Sequence, residues 1–236
     1  MSKTISIVIP VYNHAEELVS CLETLSLQTD QAFEVVAVDD GSAVPVAERM
    51  KAVHPTFPFR LIRFEKNRGA PAARNEGARQ TTGEYLLFLD ADITLVPDAL
   101  ARMRKILDEN ADIDFVYPTL YFGWKLFPGR AFDRDALNVC NYIHTSALVR
   151  RRVFPGFDES LWKFQDWDLW LTIVAKGGKG YWIPEPLFRV KVRRNGYSHW
   201  LPKIAYRIPW QKIGWAPREV RRYRAAEAII RKKHHI

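Results

Sequence analysis

The chain predicts an α/β fold in which a mostly parallel central sheet is flanked by helices, and three observations carry that expectation. Short runs rich in Val, Ile, Leu and Phe alternate with amphipathic stretches through the first half, the pattern of parallel strands joined by crossover helices. Several of those runs end in acids or turn residues, as strands do when they emerge at a ligand crevice. The 236 residues are 47% apolar and 13% aromatic, which supplies a sizeable core and excludes a disordered or fibrous chain.

In chain order, ISIVIPV (5–11) reads as a strand, and Glu16 to Leu27 as a helix with Leu18, Cys21, Leu22 and Leu25 at helical spacing. FEVVAVDDGS (33–42) is a second strand ending in two acids and a glycine, and RLIRF (60–64) a third. NRGAPAARNEGARQ offers a glycine turn and then Pro71, which suits the start of a helix because its missing N–H would have no partner there. YLLFLD is the fourth strand, Pro97 to Asn110 a helix and DFVYP (114–118) a fifth strand. The second half is less regular. YFGWKLFPGRAF (121–132) predicts a hairpin or mobile loop, and Asn138 to Arg150 a strand carrying Cys140 and His144. Trp167 to Lys176 predicts a helix opening at Asp166, and GYWIPEPLFRVKV (180–192) one or two strands. In the tail, Val220, Tyr223, Ala226 and Ile230 share one face of a helix among arginines.

Charge is uneven. The net value is +8, but residues 187–236 hold fourteen Lys and Arg against two Glu, so the first 186 residues are net acidic. A basic tail points to an anionic partner, a membrane surface or a nucleic acid, or to a solvated helix face. The two cysteines lack metal-ligand spacing, so neither a disulfide scaffold nor a zinc knuckle is expected and the compartment is read as reducing. The N-terminal apolar run is broken by Pro10 and no stretch approaches a membrane span; a cytoplasmic protein, peripheral on the inner membrane face if the tail binds lipid, is expected. No GxxxxGK[ST] occurs, which excludes a Walker-type nucleotide site.

Three strands place reactive groups at one sheet edge: Pro10 to Asn13, Asp39 to Ser42, and Asp90 to Asp92. Carboxylates there need a cationic partner, and their oxygens favour Mg²⁺ or Mn²⁺, which typically bind one or two carboxylates plus substrate phosphates. SIVIPVYN, VDDGS, NRGAPAARNEG, GEYLLFLDAD and QDWDLWL occur in that order over roughly residues 4 to 192. On these pieces the chain resembles the family 2 glycosyltransferases, inverting enzymes of the Rossmann-like GT-A fold that move a sugar from a nucleotide-sugar donor.

The resemblance implies roles for particular residues. Pro10, Val11 and Tyr12 would line the nucleotide pocket, Asp40 would hydrogen-bond the base, and Arg74 would lie near the nucleotide. A carboxylate accepts from an N–H, so Asp40 suits uracil or thymine; UDP is expected, with GDP and dTDP left open. Asp90 and Asp92 form a DxD-type motif, Asp92 as direct metal ligand and Asp90 nearer the ribose, and Asp166 matches the catalytic base. Asp168 and Glu185 stand as alternative bases, and His199 as a further metal ligand from the tail. Ordinary structural roles stay open beside these: Asp39 and Asp40 as a turn signal, Asp166 as a helix cap, Arg74 as a surface arginine.

Three departures qualify the resemblance. Gln165 stands where an acid usually precedes the base, keeping hydrogen-bonding capacity but not charge. RVKVRRNGYSHW replaces an arginine, tyrosine and histidine segment, and QKIGW (211–215) lacks the arginine of the Q-x-x-R-W motif of processive synthases. Addition of a single sugar to a glycan or lipid-linked glycan is therefore expected. A sugar-nucleotide pyrophosphorylase would need a GxGxR-type loop where PVYNHAEE stands. The expected division is a catalytic domain over 1–195, with a nucleotide-sugar half (1–118) and an acceptor half (119–195), and a basic, Trp-rich tail over 196–236. Lying on an anionic membrane suits that tail, as does packing on the domain; nucleic acid is not an expected partner, although a non-enzymatic nucleic-acid or anionic-surface binder is the alternative from another class.

Overall fold

A computed structural model describes residues 4–192, 210 and 216–236. Its core is a nine-stranded mixed sheet in which β1 (Ile5–Val11) pairs in parallel with β2 (Phe33–Asp39) and β4 (Tyr85–Phe88), and β2 with β3 (Phe59–Arg63). The order continues through β8 (Leu148–Arg150), β6 (Phe115–Phe122), β9 (Gly180–Val190) and β5 (Ile93–Leu95). β8 is antiparallel to both β4 and β6, β9 runs parallel to β6, β5 is antiparallel to β9, and β7 (Lys125–Phe127) closes a hairpin on β6. β1 and β4 are buried on both faces, which is why they read as continuous apolar runs rather than alternating ones.

Among the described residues the α-helices are α1 (Ala15–Ser26), α2 (Val46–Met50), α3 (Ala70–Arg79), α4 (Ala99–Glu109), α5 (Arg134–Val139), α6 (Gln165–Ala175) and α7 (Arg218–His234). α1 and α4 bury Leu18, Cys21, Leu22, Leu25, Leu100 and Met103 against one sheet face, while α6 packs Trp167, Trp170 and Ile173 on the other. α3 lies close on β1, where a Cβ at Gly77 would fall 2.3 Å from Val8 Cγ1; a larger residue would push the helix off the strand.

The first half follows the expected order, with α2 and β5 added. The second half corrects one expectation, because Asn138 to Arg150 is not a strand. Asn138 and Val139 end α5, whose N-cap Asp133 accepts from the Ala136 N–H at 3.0 Å, and only Leu148–Arg150 pairs. α6 holds both the end of α5 and the intervening loop, since Trp167 Nε1 donates to the Leu137 carbonyl of α5 (2.7 Å) and Trp170 Nε1 to that of Ile143 in the loop (3.1 Å). Of residues 121–132, 121–127 belong to the hairpin of β6 and β7 and the rest lie outside any strand, and 180–190 is a single strand.

The division expected at 118/119 falls inside β6, and the one at 195/196 lies outside the described residues, as do His199, Trp200, Trp215 and QKIGW. The apolar face foreseen at the C-terminus belongs to α7 and is covered by protein: Val220, Ala226 and Ile230 are buried, and Ile230 joins the cluster containing Trp167 and Leu171. Among the described residues no helix is long and apolar enough to cross a membrane.

Candidate active site

The site lies at the carboxyl edge of the parallel strands. β1 ends at Pro10 and Val11, followed by Tyr12, and its exit loop is fastened to the exit loop of β2: the Asn13 N–H donates to Ser42 Oγ (2.9 Å) and the Ala43 N–H to Asn13 Oδ1 (2.9 Å). Asn13 adopts φ 57° to make this turn, a conformation asparagine tolerates better than most residues. Pro10 and Tyr12 are half-buried and Val11 is buried at this edge.

The acids of VDDGS divide their work. Asp39 accepts from the Ser42 N–H (2.9 Å), the Val46 N–H (3.1 Å) and the Arg63 guanidinium, which holds the loop and the start of α2. Asp40 accepts from the Arg68 N–H (2.7 Å) and the Gly69 N–H (2.9 Å). It thereby ties β2 to the turn that begins α3, and a base N–H would have to share an oxygen already in use. Gly41 makes that closure possible. It has φ 71°, and a Cβ there would sit 2.6 Å from the backbone of Lys66 and Asn67. Burial pushes the Asp40 carboxyl up despite its two backbone donors and Arg68.

Arg74 is the centre of the site rather than a surface arginine. Its side chain is 7% exposed; Nη2 donates to Asp90 Oδ1 (2.6 Å), Nη1 to Gln165 Oε1 (3.1 Å), and the guanidinium lies 5.3 Å from the Phe157 ring centroid. One side chain thus joins α3, the DxD-type loop after β4 and the first turn of α6. Gln165 supplies the second acceptor without adding a charge, and its amide donates to the Leu161 carbonyl at 2.9 Å. Asn75, next in the same segment, ties α3 to the backbone of Phe157: its Nδ2 donates to the Phe157 carbonyl (2.9 Å) and its Oδ1 accepts from the Phe157 N–H (2.8 Å).

Asp90 remains 37% exposed. Burial raises its proton affinity, but Arg74, His144 and His14 outweigh burial and hold its carboxyl below the usual range. Asp92 lacks such help. Burial and then the Asp90 charge push it up to about 6, and among the described residues no cation pairs with it. The same two acids act on Cys21 behind them, whose thiol burial drives up to about 12.

Asp166 opens α6. It accepts from its neighbour, the Trp167 N–H (2.9 Å), and from the Asn141 side chain. Burial raises its proton affinity, opposed by His144, the Trp167 N–H, Arg74 and Asn141, with a net shift upward. The alternative bases are engaged elsewhere: Asp168 is buried against Lys233 and His234, and Glu185 pairs with Arg102 at 2.8 Å. Asn141 and His144 are site residues that the sequence reading missed. β8 runs antiparallel to β4, so the loop before Leu148 returns to the crevice edge, and His144, whose Nδ1 accepts from the Ser146 N–H (3.1 Å), acts on both Asp90 and Asp166. A loop reading of NYIHTS, polar residues ahead of an apolar strand, is the signal that would have found them.

The donor chemistry fits a hard divalent cation such as Mn²⁺ or Mg²⁺. Asp90 and Asp92 offer only oxygen, and the uncompensated Asp92 charge is what such an ion would neutralise. No group of three or more His, Cys, Asp or Glu among the described residues could hold an ion alone, so substrate and water oxygens would complete its shell.

The family model for glycosyl transferase family 2 matches residues 6–156, and the chain belongs to that family. The uncharacterized glycosyltransferase YwdF of Bacillus subtilis is 31% identical over 185 residues, covering 71% of this chain and 66% of that protein. A PGL/p-HBAD biosynthesis glycosyltransferase of Mycobacterium bovis is 34% identical over 177 residues, covering 69% of this chain and 66% of that protein. This chain spans about a third to two thirds of the length of the curated relatives it matches. Among solved structures, S. aureus TarS in complex with UDP superposes with a TM-score of 0.70 at 19% identity, covering 80% of this chain and 60% of that one. The mannosyltransferase PcManGT of Pyrobaculum calidifontis, in complex with GDP-Man and Mn²⁺, gives 0.69 at 22% identity, covering 98% and 70%. The fold is therefore the GT-A fold of glycosyltransferases.

Proposed function

We propose that the chain is an inverting, metal-dependent glycosyltransferase that moves one sugar from a nucleotide-sugar, by expectation a UDP-sugar, to a hydroxyl of a glycan or lipid-linked glycan. The observation that carries this reading is the Arg74 bridge. It sets the carboxylates suited to a metal and diphosphate and the helix turn bearing Asp166 around one guanidinium.

Pro10, Val11 and Tyr12 line the nucleotide side. Asp40 meets the base either directly, through its remaining lone pairs, or by fixing the loop beneath it. Asp92, with Asp90, would hold Mn²⁺ or Mg²⁺, which when bound neutralises charge growing on the departing diphosphate. Arg74 orients Asp90 and keeps it ionised. Asp166 takes the proton of the attacking hydroxyl; its burial supplies the basicity that a helix N-terminus would otherwise reduce, and Asn141 and the Trp167 N–H fix its direction. His144, on the loop before β8, lies near both acids. Attack from the Asp166 side, opposite the diphosphate, gives inversion.

The acceptor side is assigned to the β6–β7 hairpin. Leu87, Leu148 and Val116 are level across β4, β8 and β6, and β6 continues to Phe122, beyond the edge where Asp90 and Asp92 emerge. At its tip Trp124 is 94% exposed, with the Arg189 guanidinium 5.5 Å from its ring centroid. A flat, open ring beside a donor suits a sugar ring.

Thermal denaturation with nucleoside diphosphates tests the donor site without needing the acceptor. UDP with Mn²⁺ at a hundredfold excess over Kd is expected to raise Tm by about 5–10 °C, a stabilisation of about 2.7 kcal/mol, and much less without the ion. No shift with UDP, GDP or dTDP would sink the reading.

The basic outer face of α7 is proposed to rest on an anionic membrane. Its apolar face is used internally, so the contact is electrostatic, and Arg218, Arg221 and Lys232 are exposed. The intact protein should float with phosphatidylserine vesicles at low salt and lose that on combined substitution of these three residues by Gln; equal partitioning of the two proteins would defeat the idea.

A further inference from the structure

The C-terminal helix grips the turn that carries Asp166 on both sides of that residue. Phe164, the residue before α6, adopts φ 61° and ψ 28°, a left-handed conformation that strains a bulky side chain and persists only where the surroundings enforce it. Those surroundings come largely from α7. The Tyr223 ring meets the Phe164 ring edge-on at 5.0 Å, Lys163 Nζ lies 5.4 Å from the Tyr223 centroid, and Arg222 stacks over Trp162 at 4.6 Å. On the far side, Asp168 is 5% exposed and accepts from Lys233 Nζ (3.0 Å), and its Oδ1 lies 2.7 Å from His234 Nε2. Lys233 also reaches Asp158 at 2.6 Å, and Arg231 lies 5.5 Å from the Trp167 ring centroid while donating to the Val139 carbonyl at 3.0 Å. Residues 162, 163, 164, 167 and 168 therefore contact α7, while Gln165 and Asp166 turn the other way, to Arg74 and Asn141.

We propose that α7 is a positioning element for the transfer reaction, with Tyr223, Lys233 and His234 holding the turn at 162–168 in the strained form that aims Asp166 into the crevice. The proposal rests on the assignment of Asp166 as base, but the grip itself is independent of it. The α7 contacts themselves lie away from the nucleotide side, and Arg74 keeps its bond to Asp90 when its second acceptor, Gln165, loosens, so loss of the grip lowers turnover far more than it weakens donor binding. Asp168, two residues after the base, is explained as the anchor of this clamp.

Hydrogen exchange on the full chain decides it. In Tyr223→Ala and, separately, Lys233→Gln, the amides of 163–168 are expected to exchange at least tenfold faster than in the parent protein, with those of α3 and β1 unchanged. Lys233→Arg should restore protection. In the same variants, release of UDP from UDP-GlcNAc or of GDP from GDP-mannose, each with Mn²⁺, should show kcat down by tenfold or more and donor KM within twofold. Unchanged exchange at 163–168, or acceleration equal across α3 and β1, overturns the clamp. Faster exchange at 163–168 with kcat unchanged per folded molecule overturns its role in catalysis. Failure of the base assignment is recognised separately, by an Asp166→Asn protein that still transfers sugar.

Discussion

Asp166→Asn is expected to lower kcat for sugar transfer by about 10²- to 10⁴-fold, the usual worth of general-base assistance, while the Tm increase produced by nucleoside diphosphate and Mn²⁺ stays as in the parent protein. Asparagine can still accept from the Trp167 N–H, so the turn is kept and only the proton acceptor is lost. The sign of the accompanying pH effects follows from the raised proton affinity of Asp166, in which burial leads and His144, the Trp167 N–H, Arg74 and Asn141 oppose it. The base works ionised, so kcat should fall as pH drops through a value above the ordinary aspartate range. For stability the direction is opposite. A carboxyl whose folded pKa exceeds its unfolded one binds its proton more tightly when folded, so stability declines as pH rises from the unfolded to the folded value. Above that window Asp166→Asn should therefore melt slightly higher than the parent. Melting curves and steady-state kinetics across pH 4 to 9 check both limbs; an unchanged kcat would remove Asp166 from the mechanism.

Asp92→Asn is the second large effect. Metal-dependent transfer should fall by about 10²-fold or more, since charge neutralisation at a departing diphosphate is worth several kcal/mol and each 1.36 kcal/mol is tenfold. Metal-free protein should behave conversely. Burial and the Asp90 charge push Asp92 up to about 6, so above that pH the folded, metal-free protein carries an ionised carboxylate in an unfavourable place, and asparagine should raise Tm there. A bound cation must displace the proton, so apparent Mn²⁺ affinity should weaken progressively below about pH 6 in the parent and show no such dependence in the variant. Titration with Mn²⁺ by paramagnetic resonance, at pH 5 and 7.5, reads this directly. Equal affinities for parent and variant at pH 7.5 would exclude Asp92 as a ligand.

How far the sequence could be read depended on where each residue's partners lie. The parallel half was legible because its strands are buried on both faces and its acids follow them directly: Asp39, Asp40, Asp90 and Asp92 stand where strand exit predicts. Asp40 shows the limit of that reading. Its position was visible, but the backbone N–H groups of Arg68 and Gly69 that occupy it come from a segment 28 and 29 residues away. Arg74 was placed near the nucleotide by the resemblance alone, with a surface arginine left open, because the two groups that bury it, Asp90 and Gln165, lie 16 and 91 residues along the chain. The loop before β8 was misread for a local reason: Val139, Tyr142, Ile143, Ala147 and Leu148 are apolar enough to pass as one strand, whereas Val139 is exposed and Tyr142, Ile143 and Ala147 are buried in the cluster that holds Trp167 and Trp170 of α6. Asp168, two residues from Asp166, stood as an alternative base in sequence, and its engagement by Lys233 and His234 became visible only with the return of α7.

Crystals grown with UDP and Mn²⁺, with the ion located by its anomalous scattering, put the central claim to the most direct test. The account predicts one metal about 2.1 Å from an Asp92 oxygen and touching the diphosphate, the base beside the loops of Tyr12 and Asp40, and the Asp166 carboxylate across the crevice on the face away from the diphosphate. A metal or nucleotide bound away from Asp92, or an Asp166 side chain opening into a different crevice, would contradict it.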